Sequence, residues 1–154
     1  MIYWGNAMSA LGLAGFDHTV QLTHRWLKEL MLELGWKRRN HAMLALRATL
    51  HALRDRLPLP EIAQLGAQLP LLLRGAYYEG WRPGKRPLKD RYGRGFIEAI
   101  EKSMGRRPGQ PPVNAKRIAG AVFAVLDRRV SRGEICQVRN CLPAAIRSLW
   151  PEER

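Results

Sequence analysis

Apolar residues recur along most of the chain at the three- and four-residue spacing that lines one face of a helix. From Phe16, the positions Val20, Leu27, Leu30, Met31 and Leu34 share such a face, and Gly35 supplies a stop. Met43, Leu46, Leu50, Leu53 and Leu57 step by 3, 4, 3 and 4, while Arg47, Arg54 and Arg56 lie off the stripe. Pro58 and Pro60 end this helix. Pro60-Glu61 opens a short third one through Ile62 and Leu65, because proline at a first helical position loses no needed donor. Leu69-Pro70 repeats the device before a fourth helix through Leu72, Leu73, Ala76 and Tyr77. Further helices are predicted over 96 to about 103, over 113 to about 130, just after Ser131, and from Pro143 towards Trp150. Ser131-Arg132-Gly133-Glu134 has the S-x-x-E spacing of a capping box, in which serine and glutamate satisfy orphan amides at a helix start. No segment alternates as a strand would, so the fold class predicted is all-α.

The pattern also repeats. At a constant offset of 73, Glu61-Ile62-Ala63-Gln64-Leu65 lies over Glu134-Ile135-Cys136-Gln137-Val138, and Leu69-Pro70 lies over Leu142-Pro143. Ala48, Leu50, Leu53, Arg56, Leu57 and Leu73 fall on Ala121, Phe123, Leu126, Arg129, Val130 and Ile146. Earlier in each copy an offset of about 80 places Phe16 and Val20 over Phe96 and Ile100, with a loop insertion in the second copy near 105–112. The expected organisation is a tandem duplication of a four-helix unit, about eight helices in all. It divides the chain into an extension (1–15), a first repeat (16–78), a linker (79–95) and a second repeat (96–154). The linker holds Gly80, Pro83, Gly84, Pro87, Gly93 and Gly95, a density of breakers incompatible with a long helix.

The stretch 68–81 carries the pattern L-P-x-x-x-R-G-x-Y-Y-E-G-W in Leu69, Pro70, Arg74, Gly75, Tyr77, Tyr78, Glu79, Gly80 and Trp81. Followed by a basic Pro/Gly linker and a second helical copy, it resembles the bacterial family catalogued as domain of unknown function 2267, over roughly residues 16–151. The resemblance implies a small, cytoplasmic, all-α tandem unit. It implies no reaction, cofactor or catalytic residue.

Composition narrows the classes. Hydrophobic residues form 46% of the chain and charged residues 25%, too apolar for a disordered polycation, and 154 residues suffice for an autonomous core. No apolar run approaches the roughly 20 residues needed to cross a bilayer. Residues 1–15 lack the positively charged start of a secretory signal. Cys136 and Cys141, five apart, would point about 140° away from each other on a helix, so no disulfide is expected and a reducing cytoplasm is the simplest setting. The charge balance is the unusual feature: 26 Lys and Arg against 13 Asp and Glu leave a net +13.

Catalytic and metal chemistry find little support. The histidines, His18, His24, His41 and His51, all precede residue 52, away from both cysteines, which argues against a metal site. Arg132 and Arg139 flank Cys136 without a base or oxyanion hole beside it, and Glu61 and Glu134 are expected at helix starts, where their charge meets the dipole. Gly93-x-Gly95 follows no strand, and no phosphate-cradling glycine motif or cofactor site occurs.

The best constellation lies in and around the linker. Arg82, Lys85, Arg86, Lys89, Arg91 and Arg94 are the expected phosphate contacts, with Tyr78 and Tyr92 as stacking groups and Arg106 and Arg107, in the insertion, as secondary contacts. Tyr77 and Trp81 fit better as core and as a pin for the linker, and Arg74 joins the same basic run. The reading is a binding module docking on a polyanion such as RNA, the ribosome or DNA, with an acidic protein as a lesser partner. The alternative is a protein–protein adaptor or homodimer exposing an apolar patch that includes Trp4, Trp36 or Trp150.

Overall fold

A computed structural model of the chain describes residues 13–152; Trp4 and the rest of 1–12 lie outside the described residues, as do 153–154. Within them the chain forms α1 (Ala14–Leu34), α2 (Arg39–Arg54), α3 (Leu59–Gln68), α4 (Leu71–Tyr78), α5 (Arg94–Met104), α6 (Ala115–Arg129), α7 (Arg132–Asn140) and α8 (Ala144–Arg147). No strand forms among the described residues, and the fold is all-α. No helix there is long and apolar enough to cross a membrane. The local signals act as expected. Gly35 closes α1 in the left-handed region (φ 68°), its amide bonded to Met31 O. α3 carries proline in its first turn, and Asn114 caps α6 by accepting from the Arg117 amide at 3.2 Å.

One core serves the whole described chain. α1, α2, α5 and α6 pack on one another, α4 covers α1 and α2, and α3 lies against α7. Contacts between 16–78 and 96–152 therefore run through every layer. Phe96, Phe123 and Trp150 stack through this core, the Phe123 and Trp150 rings 4.2 Å apart and 7° from parallel. Trp150 is buried and Trp36 is partly buried against the core, so neither supplies an exposed indole patch.

Three details differ from the periodicity. Phe16 is 50% exposed whereas Phe96 is fully buried, so the offset of 80 fails. Buried positions instead place Trp26, Leu30 and Leu34 each 70 residues before Phe96, Ile100 and Met104, and the helix-ending Gly35 as far before Gly105. α2 ends three residues short of the Leu57 stripe, at Arg54, though Leu57 stays buried through a tight turn in which its amide bonds Arg54 O. The last helix shrinks to a single turn, 144–147.

The motif that carries the family resemblance builds the α3–α4 corner. Arg74 donates to Gly66 O, Ala67 O and Leu69 O at 2.8, 3.1 and 3.0 Å and so caps the end of α3. Tyr77 is buried and its hydroxyl donates to Ile62 O at 2.9 Å; burial, then the neighbouring Tyr78, pushes its pKa far above the usual phenol range. Gly66 is required by packing rather than by backbone angle: a Cβ there would lie 2.8 Å from Tyr78 Cζ. Gly66→Ala is expected to destabilise the protein by about 1–3 kcal/mol, read from the midpoint of urea unfolding, because the Tyr78 ring must leave its seat.

Candidate nucleic-acid interface

Between α4 and α5 the linker contains no helix, its last two residues, Arg94 and Gly95, opening α5, yet it is fastened at both ends. α4 ends where Arg54, buried and pointing inward, donates to Tyr77 O and Glu79 O at 2.7 and 2.8 Å, while its Nε meets Asp55 at 3.0 Å. His51 Nε2 donates to Ala76 O at 2.6 Å, and burial, opposed by this bond, lowers its pKa. Gly80 reverses the chain (φ 71°), Trp81 packs partly buried on the core, and the Leu88 amide bonds Asp55 O at 2.9 Å. A cleft of about 130 Å³ remains between this ribbon and α2–α3, lined by residues including Arg54, Leu57, Ile62, Trp81 and Arg86.

The far end is held by one carboxylate. Asp90 accepts from Arg56 Nε at 2.8 Å and from the Gly95 and Phe96 amides at 3.2 and 2.6 Å, so it caps α5 and pairs a buried cation together. Burial alone would raise its pKa; the Arg56 bond and the Phe96 amide outweigh that and hold the carboxyl below its ordinary range. Arg56 is further placed by Ala52 O at 2.9 Å and lies 5.6 Å over the Phe96 ring.

This frame decides the electrostatics. The acids bonded into the frame are engaged, Glu79 with Arg47, Asp55 with Arg54 and Asp90 with Arg56, while Glu98, one turn beyond Arg94 in α5, is exposed and in no ion pair among the described residues. Arg82, Lys85, Arg86, Lys89, Arg91 and Arg94 are all exposed, and none forms an ion pair among the described residues. Six like charges thus share 13 residues. Beside them Tyr92 is 72% exposed, with the Arg91 guanidinium 5.5 Å over its ring.

The remaining residues of the sequence reading separate. Tyr78 is half-buried, edge-on to Tyr77 at 4.9 Å and tilted on Trp81 at 5.5 Å, so its ring packs the corner while Tyr92 faces solvent. Arg74 is committed to the α3 cap. Arg106 and Arg107 are exposed at the opposite end of α5 from Arg94, so the structure does not bring them to the ribbon.

Sequence reasoning missed a second feature. The capping box at Ser131 is half-made: Ser131 Oγ accepts from the Glu134 amide at 3.3 Å, but the reciprocal arm comes from Gln68, whose Oε1 accepts from the Ser131 amide at 2.9 Å. Released from capping, the Glu134 side chain is buried in the α3–α7 seam, 6% exposed, beside the Glu61 carboxyl. Glu61 Oε2 and Glu134 Oε1 are buried there without a hydrogen-bond partner among the described residues. Burial, then the Glu61 charge, push Glu134 up to about 7. The nearby Cys141 thiol is raised too, by burial and then by both glutamates, which opposes thiolate formation. Their shared offset of 73 was the available signal. Among the described residues no group of three or more His, Cys, Asp or Glu side chains converges as a metal site would.

The model of a family described as an uncharacterized conserved protein, DUF2267, matches residues 23–149 of the chain. No curated protein matches it.

Proposed function

The chain belongs to the DUF2267 family, and from that premise we propose that it is a non-enzymatic helical binding module whose cationic ribbon, residues 82–94, docks on the phosphate backbone of a nucleic acid, free or within the ribosome. The observation that carries this reading is the one-sided neutralisation described above. Glu79, Asp55 and Asp90 are each tied to an inward or neighbouring arginine, and six exposed cations on a fastened ribbon form no ion pair among the described residues. Holding like charges together is unfavourable for an isolated protein and becomes favourable when each meets a phosphate and releases a counterion. Tyr92 adds a flat surface on which a base can stack. With both cysteines free and exposed, we place the protein in a reducing cytoplasm.

Replacing Arg86, Arg91 and Arg94 together by Ser is expected to reduce the slope of log affinity against log salt by about 3, at nearly unchanged thermal stability. Gel-shift titrations from low to moderate salt measure it. No affinity of the wild type for DNA or RNA at low salt would end the proposal.

A second reading, an adaptor or homodimer, draws on a different surface. Phe16 and Leu71 are half or more exposed at a cleft of about 550 Å³ between α1 and α4, with Leu13 53% exposed at the start of α1. It predicts concentration-dependent association in sedimentation equilibrium that Phe16→Ser with Leu71→Ser abolishes; a monomer at all concentrations removes the homodimer.

A further inference from the structure

The end of the bundle remote from the ribbon carries a second set of cations. The α1–α2 connection holds Lys37 and Arg38 and leads into Arg39, and the α5–α6 loop holds Arg106 and Arg107. All five are exposed, and among the described residues none forms an ion pair. The two loops are juxtaposed. A Cβ on Gly109, whose φ is +72°, would lie 3.2 Å from Arg38 Nη1, and Arg117 Nη2 crosses from the start of α6 to donate to Leu34 O at 2.8 Å. The placement runs against helix stability. α2 begins with no side-chain cap and no acid in its first turn, so Arg38 and Arg39 stand at the positive end of its dipole, where cations are disfavoured. An anion would be stabilised there by the charges and the dipole alike. The acid lining the neighbouring cleft is Glu101, beside Arg106 and Arg107.

α2 sets the separation of the two cationic surfaces. The ribbon is bonded to its C-terminal end through the Leu88 amide and Asp55 O, and the second set gathers at its N-terminal end, 16 residues or about 24 Å away.

We propose that this second end is a separate docking surface for a phosphodiester backbone, so that one molecule bridges two nucleic-acid segments. The inference rests on the ribbon's binding nucleic acid, and its test separates the two. A 20-bp duplex is fixed to beads, loaded with protein and washed, and a second, fluorescent 20-bp duplex is added; DNA and RNA duplexes form parallel arms that identify the source of the phosphate. Wild type is expected to retain the second duplex in at least one arm. A variant with Lys37→Ser, Arg39→Ser, Arg106→Ser and Arg107→Ser, checked for an unchanged melting curve, is expected to bind the bead-bound duplex and retain the second about tenfold less. Failure of wild type to load on the first duplex would overturn the ribbon reading and this inference with it. Loading without retention of the second duplex, or undiminished retention by the variant, would overturn the inference alone.

Discussion

Raising the pH from about 5 to about 8 is expected to lower the melting temperature of the wild type by roughly 6–12 °C more than that of a Glu134→Gln variant. The origin is the carboxyl pair in the α3–α7 seam. Unfolded, Glu134 ionises near its ordinary 4.5; folded, burial and Glu61 hold its proton to about 7. Between those values the folded chain binds a proton that the unfolded chain has released, so stability falls as pH rises. The contribution is fully present below the unfolded value, is lost through about 7, and amounts to on the order of 3 kcal/mol at 1.36 kcal/mol per unit. Glutamine keeps the shape and supplies a permanent donor to Glu61, so the variant should behave at every pH as the protonated wild type does in acid. Taking the difference between the two proteins removes the general repulsion of a +13 chain, which both share. Parallel melting curves across that range would show that the seam holds no shared proton.

That seam also marks where sequence reading ends. Helix periodicity is a local property, and Pro58, Pro60, Ser131 and Gly35 act within a turn of their own position, so most boundaries were legible. Glu61 and Glu134 were equally visible as repeated residues at helix starts, but their meeting depends on α3 packing against α7, which no local spacing encodes. Arg56 and Arg129 show the same limit from the other side. They share the offset of 73, yet Arg56 is buried on Asp90 while Arg129 reaches out to Glu29 at 2.6 Å. The linker charges were legible because exposed cations in a breaker-rich stretch need no partner to be counted. That Glu79 and Asp90 would be withdrawn from them was not, since their partners Arg47 and Arg56 lie more than 30 residues earlier.

Asp90→Ala is expected to cost about 3–5 kcal/mol, the penalty for leaving a buried cation without its partner, and to weaken nucleic-acid binding without changing its salt slope. The Arg56 and Asp90 side chains are 4% and 9% exposed, so the arginine left behind cannot recover its hydration, and the first amides of α5 lose their acceptor. Removing the charge as well should relieve most of the loss: Arg56→Met combined with Asp90→Ala is expected to be more stable than Asp90→Ala alone in urea unfolding. In the wild type the same pair should fail only in acid, because the Asp90 carboxyl is held below its ordinary 3.8, so its contribution is intact above that value and disappears as pH falls through the folded one. For binding, the mutation leaves all six ribbon cations in place, so the number of phosphates neutralised, and with it the slope, stays the same. What changes is the order imposed before contact. A ribbon released at its α5 end loses conformational freedom on docking that the fastened one lacks already, and affinity drops by a constant factor at every salt concentration. A shallower slope would mean that Asp90 places particular cations on particular phosphates; unchanged affinity would mean that fastening the ribbon serves the fold alone.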